Sequence, residues 1–160
     1  MKVAVYPGSF DPITNGHLDI LSRASSLFGK VVLLVSYNPG KKYIFTSEER
    51  VEMVKQAIEG KYSNVVVDFY DGLTMDYAKK INACCIVRGL RAVSDFEYEF
   101  QLAAANEYVA SEIDSIFFMT HNEVSFISSS FINELKQNHV DISQLVPESV
   151  NKMYKKKFNL

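Results

Sequence analysis

Short unbroken apolar runs alternate along this chain with longer stretches in which apolar residues recur every three or four positions. Lys2 to Tyr6 predicts a first strand, and the turn-rich segment Pro7 to Gly16 follows it. A helix is expected from near His17, with Leu18, Leu21, Ala24, Leu27 and Phe28 on one face, and Gly29 ends it. Val31 to Val35 has no polar interruption, as in a strand covered on both faces. Pro39-Gly40 then breaks the chain before Lys41-Lys42. Thr46 and Glu49 have capping-box spacing and open a helix through Val51, Val54, Ala57 and Ile58. Val65 to Val67 is a third strand, and Asp71-Gly72-Leu73 leads into a helix carrying Met75, Ala78 and Ile81. Cys84 to Val87 is a fourth strand. Ser94 and Glu97 repeat the capping-box spacing ahead of Phe96, Phe100, Ala103, Ala104 and Val109. Ile116 to Met119 is a fifth strand, a helix starts among Ser128-Ser129-Ser130, and Pro147 opens a last helix ending in Lys155-Lys156-Lys157.

Five repeats of strand and helix predict an α/β fold: one Rossmann-like, doubly wound domain over residues 1–160, with a five-stranded parallel sheet and helices on both faces. Composition narrows the partners. Of 160 residues, 48% are hydrophobic and 22% charged, and the net charge is −2. A domain that works by neutralising nucleic-acid phosphates is usually basic, so no nucleic acid is expected. No apolar run approaches the roughly 20 residues that cross a bilayer, so no membrane partner is expected either. Pro7 interrupts the first apolar run before a signal-peptide core could form, and a cytoplasmic location follows as the expectation. Cys84 and Cys85 are adjacent. On a strand they would point to opposite faces, which suits small buried hydrophobes rather than a disulfide or a metal pair.

In an open parallel sheet, ligands bind beyond the carboxyl ends of the strands. After the first strand come Gly8, Ser9 and the Thr14-Asn15-Gly16-His17 turn; after the second come Lys41 and Lys42. The third is followed by Gly72-Leu73-Thr74, the fourth by Arg88-Gly89-Leu90-Arg91, and the fifth by Ser125 to Ser130. Gly8 and Gly16 allow close backbone approach to a ligand, and Gly16-His17 places a helix N-terminus where phosphate is favoured. Ser128 to Ser130 do the same with added hydroxyls. Two helix starts and several cations suit two phosphorylated substrates. Taken singly, each feature has a plainer reading: Lys41-Lys42 as solvated surface, the serines as a helix cap, Arg88 and Arg91 as a surface network with Asp95, Glu97 or Glu99. Independent accidents would not all fall on one edge of the sheet. His121 and His139 have no partner pattern and are expected to be ordinary surface or loop histidines. The Gly-x-x-x-x-Gly-Lys phosphate loop, Gly-x-Gly-x-x-Gly, Gly-x-Ser-x-Gly and zinc-ligand spacings are all absent. What remains is catalysis by positioning and electrostatics.

Tyr6-Pro7-Gly8-Ser9-Phe10-Asp11-Pro12-Ile13-Thr14-Asn15-Gly16-His17 resembles the signature of the nucleotidyltransferase superfamily in its Thr-x-Gly-His form. Arg88 to Glu99, with Arg88-Gly89-Leu90-Arg91-Ala92-Val93 at its head, and Ser125 to Ser130 resemble the bacterial phosphopantetheine adenylyltransferases, collinear over essentially the whole chain. The resemblance implies adenylyl transfer from ATP, with Mg²⁺, to 4′-phosphopantetheine, yielding dephospho-coenzyme A and pyrophosphate, the penultimate step of coenzyme A synthesis. It implies direct in-line attack and a homohexamer built as a dimer of trimers. No dedicated carboxylate cage for the metal is visible in the sequence, so Mg²⁺ is expected to arrive on the ATP phosphates. By the same resemblance His17 stabilises charge on the transferring phosphate, and Ser9 and Lys41 hold the incoming one. Thr74 and Arg88 join them in contacting phosphopantetheine. ATP falls to Ser9, Phe10, His17, Gly89, Leu90, Arg91, Glu99, Val124, Ser125, Phe126, Ile127, Ser128, Ser129 and Ser130. Ser9 stands where many relatives carry Thr and keeps the hydroxyl; Thr120 and Val124 stand where Pro and an aromatic are common. The phosphates are expected to hold His17 protonated. Two other readings are a nucleotidyltransferase for another phosphate acceptor, against which the Arg-Gly-Leu-Arg-Ala-Val segment tells, and a non-catalytic nucleotide sensor, against which His17, Lys41 and Arg88 tell.

Overall fold

A computed structural model describes residues 1–159. Its strands are β1 (Val3–Gly8), β2 (Lys30–Ser36), β3 (Val65–Tyr70), β4 (Cys85–Leu90) and β5 (Asp114–Met119). Its helices are α1 (Asn15–Leu27), α2 (Ser47–Ile58), α3 (Thr74–Lys80), α4 (Val93–Val109), α5 (Ser129–Gln137) and α6 (Glu148–Phe158), with a short 3-10 turn at Asn122–Val124. All strand pairs are parallel, in the order β3-β2-β1-β4-β5. The fold is α/β and Rossmann-like.

Alternation along the strands separates two cores. Ala4, Leu33 and Val87 face one side, where Leu21, Met53 and Tyr154 of α1, α2 and α6 pack on them. Val5, Leu34 and Ile86 face the other, covered by Met75 and Ala78 of α3. The chain winds outward in both directions from the β1–β4 pair, so the crevice beyond Gly8 and Leu90 lies at a topological switch point.

Several boundaries differ from the sequence expectations. β1 runs on to Gly8 and β4 to Leu90, because a strand continues through polar residues and glycine while its neighbours supply ladder partners. Arg88, Gly89 and Leu90 are therefore strand residues, and Arg91 alone begins the loop. α4 begins at Val93, so Ser94 lies inside its first turn and makes no capping box with Glu97. Leu27 is exposed, because the buried stripe of α1 rotates onto Ile20, Leu21 and Ala24. On α4 the expected core stripe is not buried: Phe96, Phe100 and Val109 are exposed, and Glu99 is the buried residue of that helix. Cys84 precedes β4, so strand alternation does not separate the two cysteines, whose sulfurs lie 3.9 Å apart. Burial and that neighbour push the Cys85 thiol up to about 12. No described helix is long and apolar enough to cross a membrane.

Candidate active site

A cleft of about 1170 Å³ opens at the carboxyl edge of the sheet and takes residues from beyond all five strands. The β1–α1 loop brings Ser9 and His17, the segment after β2 brings Lys41, and the start of α3 brings Thr74. Arg88, Gly89 and Arg91 come from β4 and its end, Glu99 from α4, and Ile127 to Ser130 from the approach to α5. Leu90, Val124, Ser125 and Phe126 do not line it. Leu90 is buried, with its carbonyl accepting the Thr120 N–H. Ser125 donates to the Asn122 carbonyl, while Phe126 is exposed and packs edge-on against Phe131. The carbonyls of Val124 and Ile127 abut Gly16, where a Cβ would come within 3.4 Å of each. Gly16 thus serves close packing of this segment on α1. A Cβ on Gly8 would meet the Phe10 ring at 2.9 Å, so that glycine too answers to the protein interior.

His17 is set by the helix it begins. Thr14 caps α1: its hydroxyl accepts the His17 N–H, and the Thr14 N–H donates to Nδ1 of His17 at 3.0 Å. A backbone N–H can only donate, so Nδ1 is unprotonated and Nε2 carries the proton. Burial lowers the imidazole pKa to about 3, aided by the positive charges of Arg91, Arg88 and Lys41. The expected imidazolium concerns the ring beside bound phosphates; the free chain carries a neutral ring with a fixed tautomer. Its donor capacity comes from Nε2–H and needs no second proton. Behind it stands Phe10, edge-on at 5.1 Å and buried, with its own backbone at φ +47°, a strained value for a bulky residue. The Phe10 ring is a wall to the site rather than an exposed surface within it.

The cations are individually anchored. Lys41 Nζ donates to Ser9 Oγ at 3.1 Å. Arg88 grips Glu99 through two parallel bonds, Nε to Oε2 at 2.7 Å and Nη2 to Oε1 at 2.6 Å. Burial alone would lower the Arg88 pKa; the Glu99 pair raises it instead. Arg91 bonds Asp95 from its side chain at 3.2 Å and its backbone at 3.1 Å. The surface-network reading of these arginines is therefore half right: the pairs with Glu99 and Asp95 exist, and both arginines still line the cleft. Ser128 caps α5 by accepting the Phe131 N–H at 3.1 Å. Ser129 donates to the Pro12 carbonyl at 2.8 Å, tying α5 to the β1–α1 loop.

Three contributors escaped the sequence reading. Asp11 is buried and accepts the N–H groups of Ile44 and Phe45, at 2.9 Å each. Asn133 donates to the Asp11 carbonyl and is held by the hydroxyl of Tyr154. Arg50 lies wholly buried under the loop, donating to the carbonyls of Ser9 and Ser36. The one available signal for Arg50 is a cation on the apolar face of α2, three and four residues before Met53 and Val54. His121, expected to have no partner, bonds Asp19 through Nδ1 at 2.6 Å and through its backbone N–H at 3.2 Å. Those residues are 102 apart in sequence, so no local spacing could reveal the pair. His139 is an exposed loop residue, as expected. Among the described residues, no group of three or more His, Cys, Asp or Glu is placed to hold a metal ion.

A family model described as cytidylyltransferase-like matches residues 5–135, which span β1 to α5 and so include the cleft. Fold, cationic cleft and this match define the class: the chain is a nucleotidyltransferase-type α/β protein of the cytidylyltransferase-like family. A protein of Alkaliphilus metalliredigens named phosphopantetheine adenylyltransferase is 48% identical over 157 residues, covering 98% of this chain and 99% of the relative. Proteins with the same name from Alkaliphilus oremlandii and Carboxydothermus hydrogenoformans are 49% and 48% identical, each over 99% of this chain. The chain belongs to the phosphopantetheine adenylyltransferase family.

Proposed function

We propose that this chain transfers the adenylyl group of ATP to the phosphate of 4′-phosphopantetheine, in the cytoplasm, as one domain over residues 1–160. A phosphopantetheine phosphate oxygen bonds to the α-phosphorus as the bond from that phosphorus to the bridging oxygen breaks, and pyrophosphate leaves. The products are dephospho-coenzyme A and pyrophosphate. ATP enters as its Mg²⁺ complex, so the ion is part of the substrate and calls for no carboxylate cage.

The observation that carries this reading is the fixed tautomer of His17 at the point where Lys41, Arg88 and Arg91 converge. The Nε2–H of this cleft-lining ring is free to donate to the transferring phosphate as charge builds there. Such a preorganised donor lowers the barrier by roughly 3–4 kcal/mol. The attacking oxygen is already anionic, so no general base is required. Ser9 and Lys41, bonded to each other, hold the incoming phosphate, and Thr74 and Arg88 complete the phosphopantetheine side. Glu99 aligns the Arg88 fork by its two bonds. Gly89, Arg91 and the α5 N-terminus from Ile127 to Ser130 take the ATP side, where unpaired helix N–H groups favour phosphate. Leu90, Val124, Ser125 and Phe126 support that wall from outside the cleft. The working unit is a homohexamer, in keeping with an α4 that leaves Phe96, Tyr98 and Phe100 exposed.

A pyrophosphate-release assay offering ATP and Mg²⁺ with 4′-phosphopantetheine, nicotinamide mononucleotide or a cytidylyl acceptor in turn tests the assignment. Release with phosphopantetheine alone is expected. Release with another acceptor only, or with none, overturns it.

A further inference from the structure

Arg50 has a place that stability does not explain. Its side chain is fully buried, yet among the described residues no carboxylate lies within salt-bridge distance of it. Its partners are neutral: Nη1 donates to the Ser9 carbonyl at 2.6 Å and the Ser36 carbonyl at 2.9 Å, and Nη2 to Ser47 Oγ at 3.1 Å. Nε is buried without a partner. Burying a charge with no opposite charge beside it costs stability, so the presence of Arg50 here asks for another reason.

The reason lies in what its partners carry. Ser9 and Ser36 follow and end β1 and β2, so one guanidinium clamps two adjacent strand ends at the mouth of the cleft. Its face lies 4.2 Å from the ring centroid of Tyr43. Lys41 Nζ sits 5.7 Å from that same centroid while donating to Ser9 Oγ. The Tyr43 hydroxyl accepts the Asn38 N–H at 2.7 Å and its ring stacks on Tyr37, which closes the 37–43 loop on itself. Arg50 therefore touches Ser9 directly and Lys41 through one aromatic ring. A lysine would keep the charge but lose the planar fork that reaches two carbonyls while stacking.

We propose that Arg50 is a positioning residue for the transfer, holding Ser9 and Lys41 in register with the incoming phosphate. This rests on the assignment of those two side chains to that phosphate. The test is a double-mutant cycle with MgATP and phosphopantetheine. Arg50→Lys is expected to lower kcat about thirtyfold, with ATP affinity by calorimetry changed less than about threefold, because the lost contacts act on the transition state. In a Lys41→Ala background the same change is expected to cost less than about threefold, since both act through one group. Tyr43→Leu, which keeps Arg50 and removes the intervening half-buried ring, supplies a second arm: about tenfold lower kcat alone and little effect beside Lys41→Ala. If Arg50→Lys fails to fold, this arm decides. Losses that multiply in an active wild type overturn the positioning role alone. A wild type that releases no pyrophosphate with phosphopantetheine overturns instead the reading on which it rests.

Discussion

The Nδ1 of His17 accepts a backbone N–H, and from that one bond its chemistry follows. In the free chain the ring is neutral to about pH 3, with its one proton on Nε2. His17→Ala should lower kcat at least about a hundredfold with KM for both substrates changed only a few-fold, the pattern of a contact made in the transition state. Steady-state kinetics reads this directly, and an unchanged kcat removes the role. The depressed pKa also has a stability consequence with a definite sign. The unfolded chain takes up a proton on this histidine near ~6.5, whereas the folded chain resists until about 3. Between those values the unfolded state binds more protons, so stability falls as pH drops. Urea unfolding of wild type and His17→Gln at pH 7 and pH 4.5 should show the wild type losing more stability on acidification than the variant. Equal losses would show that His17 titrates normally. His17, Lys41 and Arg88 were legible because each polar side chain stands next to a glycine, Gly16, Gly40 or Gly89, near the end of an apolar strand run. Arg50 and Asp11 were not, because what they do is bond backbone groups 41 and 33 or 34 residues away, and no local pattern marks that.

At the scale of elements, the strands and helices were legible as objects and poorly legible at their ends. Apolar runs mark the buried middle of each strand, whereas ladder bonds carry β4 two residues past Arg88. That extension matters, because it puts Arg88 on a rigid strand with Glu99 of α4 facing it, instead of on a loop. Helix starts with a true cap were read correctly where the hydroxyl had an N–H to accept, as at Thr46 and Ser128. Ser94 failed because α4 begins before it, with Ala92 at the cap position and no side-chain bond. The α5 cap yields a prediction. Ser128→Ala removes an accepted bond from Phe131 at a helix end that lines the cleft, so it should destabilise the fold by about 1 kcal/mol. Chemical denaturation measures that, and the fraying of the first turn should raise KM for ATP more than for phosphopantetheine. A variant as stable as wild type, with both KM values unmoved, would show that the cap holds neither helix nor site.

For the whole molecule, the misread stripe of α4 is the informative element. Its periodicity was sound: Phe96 and Phe100 lie on one side of the helix, with rings 5.9 Å apart. What fails is the expectation that this stripe packs within the chain. In the single chain Phe96, Tyr98 and Phe100 are each more than half exposed, while Glu99 and Asp95 of the same helix hold the two arginines of the cleft. Burying a phenylalanine is worth about 1.5–3 kcal/mol, so a few such residues per copy form a substantial drive to associate. A hexamer joined partly through α4 would therefore stiffen the helix that aligns Arg88 and Arg91. Phe96→Glu with Phe100→Glu is expected to shift the sedimenting species from hexamer to smaller forms while leaving the far-ultraviolet circular dichroism intact, because neither ring is in the core. The same variant should bind both substrates less tightly, as Glu99 and Asp95 lose their rigid support. A hexamer that persists with both charges in place would move the contact off this face, and a wild type that sediments as a monomer would leave α4 exposed in the working enzyme.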